Sequence, residues 1–477
     1  MEQQEQPLNS SHGWAHVQVW TRLRDVLVSS YLVFLFHDLF IRMFSVEFLP
    51  LLTGVSLPPV PWRDALAGLL LLIGFWRIVA DPAWRQRFTA PGVMWQVVLL
   101  LAAAAFFCQQ ASSFSQLNEV KGQLYPLLMF GAGIVAGYDW RKLRRTMVVL
   151  ALINIGVAGL IALFWMDGYR DWITAYRTVF GESSALSFGK FEAFVLLPMP
   201  LILERTLFAV LFITAGAIAW YTALWIKQWT WRRGAYFLLA FACLFMVLGS
   251  FSRGGIVTML MIYLTLYIVW ALKNARARGL PARRGLLAIT PALIAVVLVG
   301  LLTALYVRHA YGIDLLDPSN LVSSGREGRI TIWSRVIDDI DRQQGWLTGI
   351  KPSFRTARSS IVFGARGGSA WSEESYYTVD NGYLYIVMQG GLFALGAVLA
   401  FIGIAVWQFS RFKCPLALAL LAWTCLIWWM LATNSILLLL ALLIGAGKLG
   451  DTALQANNGR ARIGELVAPE ATTALNL

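Results

Sequence analysis

The chain has 477 residues, 58% of them hydrophobic and only 14% charged, with a mean hydropathy of +0.64 and a net charge of +13. Soluble domains carry roughly 25% charged residues, so the composition excludes a soluble globular protein and predicts an integral membrane one. The four cysteines (Cys108, Cys243, Cys414 and Cys425) sit in or beside apolar runs with no CxxC or His/Cys cluster, which supports neither a metal site nor a disulfide framework.

Residues 1–25 are polar, too long for a signal-peptide n-region, and are expected to be retained. Apolar runs follow at approximately 26–44, 64–80, 92–110, 123–138, 146–165, 205–226, 234–251, 255–272, 286–307, 382–409, 415–432 and 434–449. Runs of ~17–25 residues suit helices crossing a hydrocarbon layer of about 30 Å. Membrane β-barrel strands are alternating segments of about ten residues, and none stand out. The fold class is therefore all-α: a polytopic protein of about twelve transmembrane helices with one large extracytoplasmic loop. Residues 26–307 hold about nine of the helices and 382–450 about three. The loop is 308–381, and the tail 451–477, poor in aromatics, is expected to be disordered. Residues 191–204, broken by Pro198 and Pro200, read as a separate crossing, an interfacial stretch or the start of the sixth helix.

The distribution of Lys and Arg sets the orientation. With a cytoplasmic N-terminus, the inside connections carry Arg85 and Arg87; Arg141, Lys142, Arg144 and Arg145; Lys227, Arg232 and Arg233; Lys273, Arg276, Arg278, Arg283 and Arg284; then Arg411 and Lys413. The outside connections near 45–63 and 111–122 carry only Arg63 and Lys121. Both termini are thus expected to be cytoplasmic and the 308–381 loop to face outward. The net charge is then mostly a topology signal. No basic stretch is interleaved with aromatics in a soluble domain, which argues against nucleic acid as a partner. No internal repeat of the kind that marks inverted-repeat transporters is apparent.

Four places hold polar residues at the expected outer surface. The connection after the fifth span carries Arg170, Arg177 and Lys190, which read equally as ligands or as cations snorkelling from an interfacial loop. In Ser252-Arg253-Gly254-Gly255, Arg253 falls at or just inside the membrane boundary. There an arginine is costly and by default functional, and its planar fork suits phosphate oxygens. The alternative is a turn residue reaching water. The loop opens with Ser324 to Trp333, including Arg326 and Arg329. From Arg329 onward, Ile332, Val336 and Ile340 fall four apart with Asp338, Asp339 and Asp341 elsewhere, which predicts a short amphipathic helix lying on the membrane or on the loop's own core. Downstream, Lys351, Arg355, Arg358 and Arg366 occur with no acidic residue between Arg342 and Glu373, a candidate anion-binding strap or a solvated face. Finally, Glu373 to Leu384 runs into the tenth span. Asp380 and Asn381 stand where a helix N-terminus is capped, and Asp380, Glu373 or Glu374 would also serve as a proton acceptor for a sugar hydroxyl. His309, just past the ninth span, reads as structural or solvent-facing.

The order of these elements resembles the O-antigen ligase / O-antigen polymerase superfamily of bacterial membrane glycosyltransferases. The resemblance rests on the Arg-containing connection after the fifth span, Ser252-Arg253-Gly254-Gly255, Gly328-Arg329-Ile330-Thr331-Ile332-Trp333, Gly345-Trp346-Leu347-Thr348-Gly349-Ile350, and Asp380-Asn381-Gly382-Tyr383-Leu384 followed by Gly390-Gly391-Leu392. It implies metal-independent transfer, without a cofactor, at the outer leaflet of the inner membrane. The donor would be a glycan on undecaprenyl diphosphate. The acceptor would be a sugar hydroxyl on a lipid-linked repeat unit or on lipid A–core. By position, Arg177 or Lys190, Arg253 and Arg329 match the diphosphate-holding cations. The expected catalytic set is Arg253, Arg329 and Asp380, with Arg177, Lys190, Arg326, Arg355, Asn381 and Tyr383 binding substrate. Ligases of the family tend to carry a histidine late in the loop, and this chain has none after His309, which favours polymerase over ligase. A transporter or flippase is the further alternative. It would line a cavity with charges inside several spans, and His37, Asp38, Arg42 and Arg77 are the candidates.

Overall fold

A computed structural model describes residues 11–44, 49–55, 62–80, 91–108, 140–165, 167–169, 205–226, 229–250, 253–279, 329–350, 382–411 and 415–426, together with positions 290, 294, 298, 301, 305 and 308. Among the described residues every regular element is a helix: α1 (Ser11–Met43), α2 (Leu49–Thr53), α3 (Trp62–Ala80), α4 (Pro91–Cys108), α5 (Trp140–Phe164), α6 (Arg205–Trp225), α7 (Trp231–Gly249), α8 (Arg253–Ala277), α9 (Arg329–Arg342), α10 (Gly382–Arg411) and α11 (Pro415–Leu426). Among the described residues, five segments are long and apolar enough to cross a membrane: Arg141–Phe164, Phe208–Trp225, Trp231–Gly249, Gly254–Ala277 and Gly390–Trp407. Ala65–Trp76, Met94–Phe106 and Pro415–Cys425 are shorter apolar helices. The expected spans 123–138 and 434–449 lie outside the described residues. Within 286–307, positions 290, 294, 298, 301 and 305 are helical and exposed, a spacing that puts them on one face. The first helix begins at Ser11 rather than near residue 26. Its polar residues Arg22, Arg24 and Asp25 lie within the helix, and Arg24 and Asp25 pair with each other. Asp25 accepts from Arg24 at 2.7 Å and from Lys142 on α5.

α6 is the hub. In Phe208–Trp225, 83% of the residues are buried, against 28–39% in the other four long apolar segments. It packs against α1, α5, α7, α8 and α11. Its sequence, RTLFAVLFITAGAIAWYTALW, explains why: small residues let neighbouring backbones approach closely where no hydrophobic driving force separates helix from lipid. Gly216 marks the tightest point. A Cβ there would run into Met259 Cε and lie 2.5 Å from Tyr263 Oη and 2.9 Å from Cys243 Cβ, so α7 and α8 meet α6 at one residue. Around it, Tyr263 Oη donates to Ala240 O at 2.8 Å, and Trp220 Nε1 donates to Tyr263 O at 3.0 Å. The Trp220 ring stacks on Tyr263, with centroids 4.9 Å apart and planes 5° apart.

A second set of contacts surrounds α10. It packs along α4, where Phe106 and Phe393 stack at 5.3 Å, and against α11. α11 leans on α8, with Trp423 Nε1 donating to Thr265 Oγ1 at 2.8 Å. α1 and α5 share a buried polar pair. The Asn154 amide donates to His37 Nε2 at 3.1 Å and to Leu150 O at 2.8 Å, which leaves the His37 Nδ1–H to donate to Val33 O at 2.8 Å. His37 is therefore satisfied within the bundle rather than presented to a cavity.

Candidate active site

Three of the sequence motifs fall at the beginnings of three helices. Arg253 is the first described residue of α8, Arg329 the first of α9, and Gly382, which follows Asp380-Asn381 in the sequence, the first of α10. The start of a helix exposes unpaired N–H groups and the positive end of its dipole, equivalent to roughly half a charge. Phosphate groups are favoured there. None of these three helices carries an acidic residue in its first turn, so nothing on the helix itself neutralises that field. The glycines after Arg253 lie within the first turn of α8, not in a left-handed turn. The link from Gly249 to Arg253 is short instead because Ser250 closes α7, its N–H donating to Met246 O and its Oγ to Val247 O.

The structure brings two of these helices, α9 and α10, into one folded unit. The predicted amphipathic helix is present as α9, and Val336 and Ile340 are fully buried. They pack with Ile350 of the loop and Val387 and Met388 of α10, with Leu384 and Leu395 against them. The partner of α9 is therefore α10 as well as the loop's own residues. Asp339, which the four-residue spacing left off the apolar face, is also buried, with Arg342 Nη1 at 3.9 Å. Asp341 accepts from Trp346 Nε1 at 2.8 Å and so closes the turn after α9.

That turn docks on a break in α10. Gly391 has φ 72° and ψ −170° in the middle of the helix. Breaking a helix orphans carbonyls on one side and N–H groups on the other, each costing several kcal/mol in hydrocarbon unless protein supplies a partner. Residues 346–350 supply them. Leu392 N–H donates to Trp346 O at 2.7 Å, Phe393 N–H to Leu347 O at 3.4 Å, and Ile350 N–H to Met388 O at 3.0 Å. The motifs Gly345 to Ile350 and Gly390-Gly391-Leu392 are thus the two halves of one contact.

Tyr383 is half-buried, and its Oη donates to Cys425 O at 3.0 Å, tying α10 to α11. Its hydroxyl has a partner inside the protein, a helix-joining role that the sequence did not suggest. Arg253 connects to this unit through neighbours: α8 packs on α11, α11 on α10, and α10 on α9. Arg177, Lys190, Arg326, Arg355, Asp380 and Asn381 lie outside the described residues. Two buried polar groups escaped the sequence reading. Thr258 Oγ1, one turn below Gly254 on α8, and the Gln96 amide on α4 have no hydrogen-bond partner among the described residues. Among the described residues, no three His, Cys, Asp or Glu side chains gather as metal ligands would.

The family model described as O-antigen ligase matches residues 238–399. This segment is similar to that family. It covers about a third of the chain and bears out the superfamily resemblance read from the motifs. The domain runs from within α7 to within α10, so it contains Arg253, Arg326, Arg329, Arg355, Asp380, Asn381, Tyr383 and the Gly391 break. Arg177 and Lys190 precede it. No curated protein matches the chain.

Proposed function

We propose that the protein is a lipid-linked polysaccharide polymerase of the inner membrane, with both termini cytoplasmic and the 308–381 loop on the outer face. The observation that carries this reading is the O-antigen ligase domain itself, which spans all three helix starts. The donor is a glycan on undecaprenyl diphosphate, and the acceptor is a sugar hydroxyl of a lipid-linked repeat unit, for O-antigen or exopolysaccharide. The acceptor oxygen attacks the anomeric carbon as the bond from that carbon to the diphosphate oxygen breaks. The hydroxyl proton passes to Asp380, and undecaprenyl diphosphate leaves with the electron pair. Charge develops on the leaving diphosphate, so preorganised donors aimed at it lower the barrier without a metal. Arg253 and Arg329 supply those donors, each reinforced by the helix start on which it stands. Arg177, Lys190, Arg326 and Arg355 would hold the remaining phosphate and sugar oxygens, with Asn381 and Tyr383 near the acceptor.

The ligase reading, transfer to lipid A–core, is favoured by the name of the matching family. Against it stands the absence of any histidine after His309. Comparing the glycans of a deletion strain and its complemented parent separates the two. Core bearing a single repeat unit, or loss of a secreted polymer with lipopolysaccharide intact, is the polymerase result. Bare core with long polymer accumulating on the lipid carrier means ligase. Unchanged glycans would overturn both and return a transporter or flippase.

A further inference from the structure

Gly391 touches no residue named above as catalytic, yet the geometry around it is the most constrained in the described part of the domain. Its φ of 72° with ψ of −170° is a backbone region reserved for glycine. A Cβ there would fall on Leu347 C, Leu347 O and Thr348 N, all main-chain atoms with no rotamer by which to retreat. The segment it faces is built as tightly. A Cβ on Gly345 would lie 2.8 Å from Gly349 O, Gly349 N–H donates to Gly345 O at 2.7 Å, and Gly349 has φ 83°. Meanwhile Leu347 is exposed. The contact is therefore main chain against main chain, in a slot that only glycine opens.

We propose that Gly391 is a positioning residue: the break in α10 is a socket for residues 346–350, and seating them there sets the direction of α9 and so the place of Arg329. The proposal deepens the polymerase reading and rests on it. The lever is long. α9 has 14 residues, or about 20 Å at 1.5 Å per residue. It is pinned at its C-terminal end, where Gly345 N–H donates to Ile340 O at 2.8 Å and the socket begins. A tilt of about 10° at the pin carries Arg329, at the far end, through about 3 Å. Misplacement of a catalytic group by about 1 Å can cost a hundredfold in rate. Val336 and Ile340, packed on α10, hold the same direction from the side.

The test uses the full-length protein in lipid nanodiscs, with spin labels on noncanonical residues at the exposed positions 334 and 399, and reads polymer formation from a lipid-linked repeat unit alongside the label distance. Gly391→Ala is expected to shift or broaden the distance by several ångströms and to lower turnover roughly a hundredfold. Gly403→Ala, on the same helix with nothing within 4 Å of its Cβ, is expected to leave both unchanged. If Gly391→Ala fails to accumulate, Leu392→Pro takes its place. It removes the N–H given to Trp346 O, at a first-turn position where proline is tolerated, and should produce the same paired effect. Wild-type turnover in the displaced variant, or lost turnover at an unchanged distance, overturns the positioning role. If the unmodified protein forms no polymer, the functional reading falls instead, and the label distance alone decides whether the socket exists.

Discussion

Replacing Gly216 with alanine probes the bundle at its tightest point. Of the three atoms that the new methyl group meets, Met259 Cε is the end of a flexible chain and can rotate away for about 0.5–1.5 kcal/mol. Tyr263 Oη is less free. It bonds Ala240 O at 2.8 Å, and its ring is sandwiched on Trp220, so displacing it breaks a buried hydrogen bond worth about 1 kcal/mol. Cys243 Cβ, 2.9 Å away, is one bond from the backbone of α7. Clearing it means moving the helix, an overpacking cost of about 1–3 kcal/mol. Alanine returns up to about 1 kcal/mol as the better helix former. The net expectation is a loss of about 1.5–4.5 kcal/mol, measured by reversible unfolding in mixed micelles. Gly156→Ala and Gly159→Ala on α5, where a Cβ meets nothing within 4 Å, should be neutral or slightly stabilising. Tyr263→Phe combined with Gly216→Ala should do better than additivity, because it removes the clashing oxygen. Tyr263 is ten residues along α8 from Arg253, about 15 Å of rigid helix, so turnover should fall as well. A Gly216→Ala protein that unfolds and works like wild type would refute the packing of α7 and α8 on α6.

Three further outcomes follow from the domain. Ile340→Ala empties a fully buried position between α9 and α10 and should weaken their docking by about 2–5 kcal/mol, seen as faster limited proteolysis after α9; unchanged cleavage would mean that the socket alone holds the helix. Arg253→Ala should abolish polymer formation with expression intact, and Arg253→Lys should lose most of it, since an ammonium cannot reproduce a two-pronged phosphate contact; retained activity in the alanine variant removes Arg253 from the mechanism. Asp380→Asn separates two roles, because asparagine still caps a helix: polymer at wild-type level would rule Asp380 out as the base, and its loss in a folded protein supports that role.

Much of this was legible in the sequence for local reasons. The four-residue spacing of Ile332, Val336 and Ile340 predicted α9, because burial on one face writes that period. The Ser252-Arg253 boundary located the start of α8, since an arginine between two apolar runs marks where one helix ends and the next begins. What escaped depends on partners far away in the chain. The glycine-rich Gly345–Ile350 stretch and Gly390-Gly391 stood out separately. Their union is made by main-chain bonds, which no side-chain pattern encodes. His37 stood out as a charge candidate for a transport cavity, yet its partner Asn154 lies 117 residues away on α5. The central place of α6 was hidden for another reason. A helix that is apolar all round reads alike whether helices or lipid surround it; only the density of Ala and Gly hinted at protein on every side.

On the proposed reading, the placement of the motifs at helix starts would let a diphosphate be held in a greasy chain. A cation inside hydrocarbon is costly, and a loop whose backbone lacks partners is costlier still. A helix start solves both problems: its free N–H groups turn toward the surface, and its dipole adds positive field without adding a charged side chain to the core. Two such starts carry arginine, and the third follows an acid in the sequence. On the proposed reading, phosphate oxygens would bind at the first two, and Asp380 would take up the proton beside the third. Keeping these points in register is then a mechanical problem. Side chains packed against lipid-like surroundings specify direction poorly. Main-chain bonds specify it well, because their donors and acceptors have fixed geometry. The broken helix α10, with both of its orphaned ends closed by residues 346–350, places that rigidity between the helix that begins at Arg329 and the helix that follows Asp380.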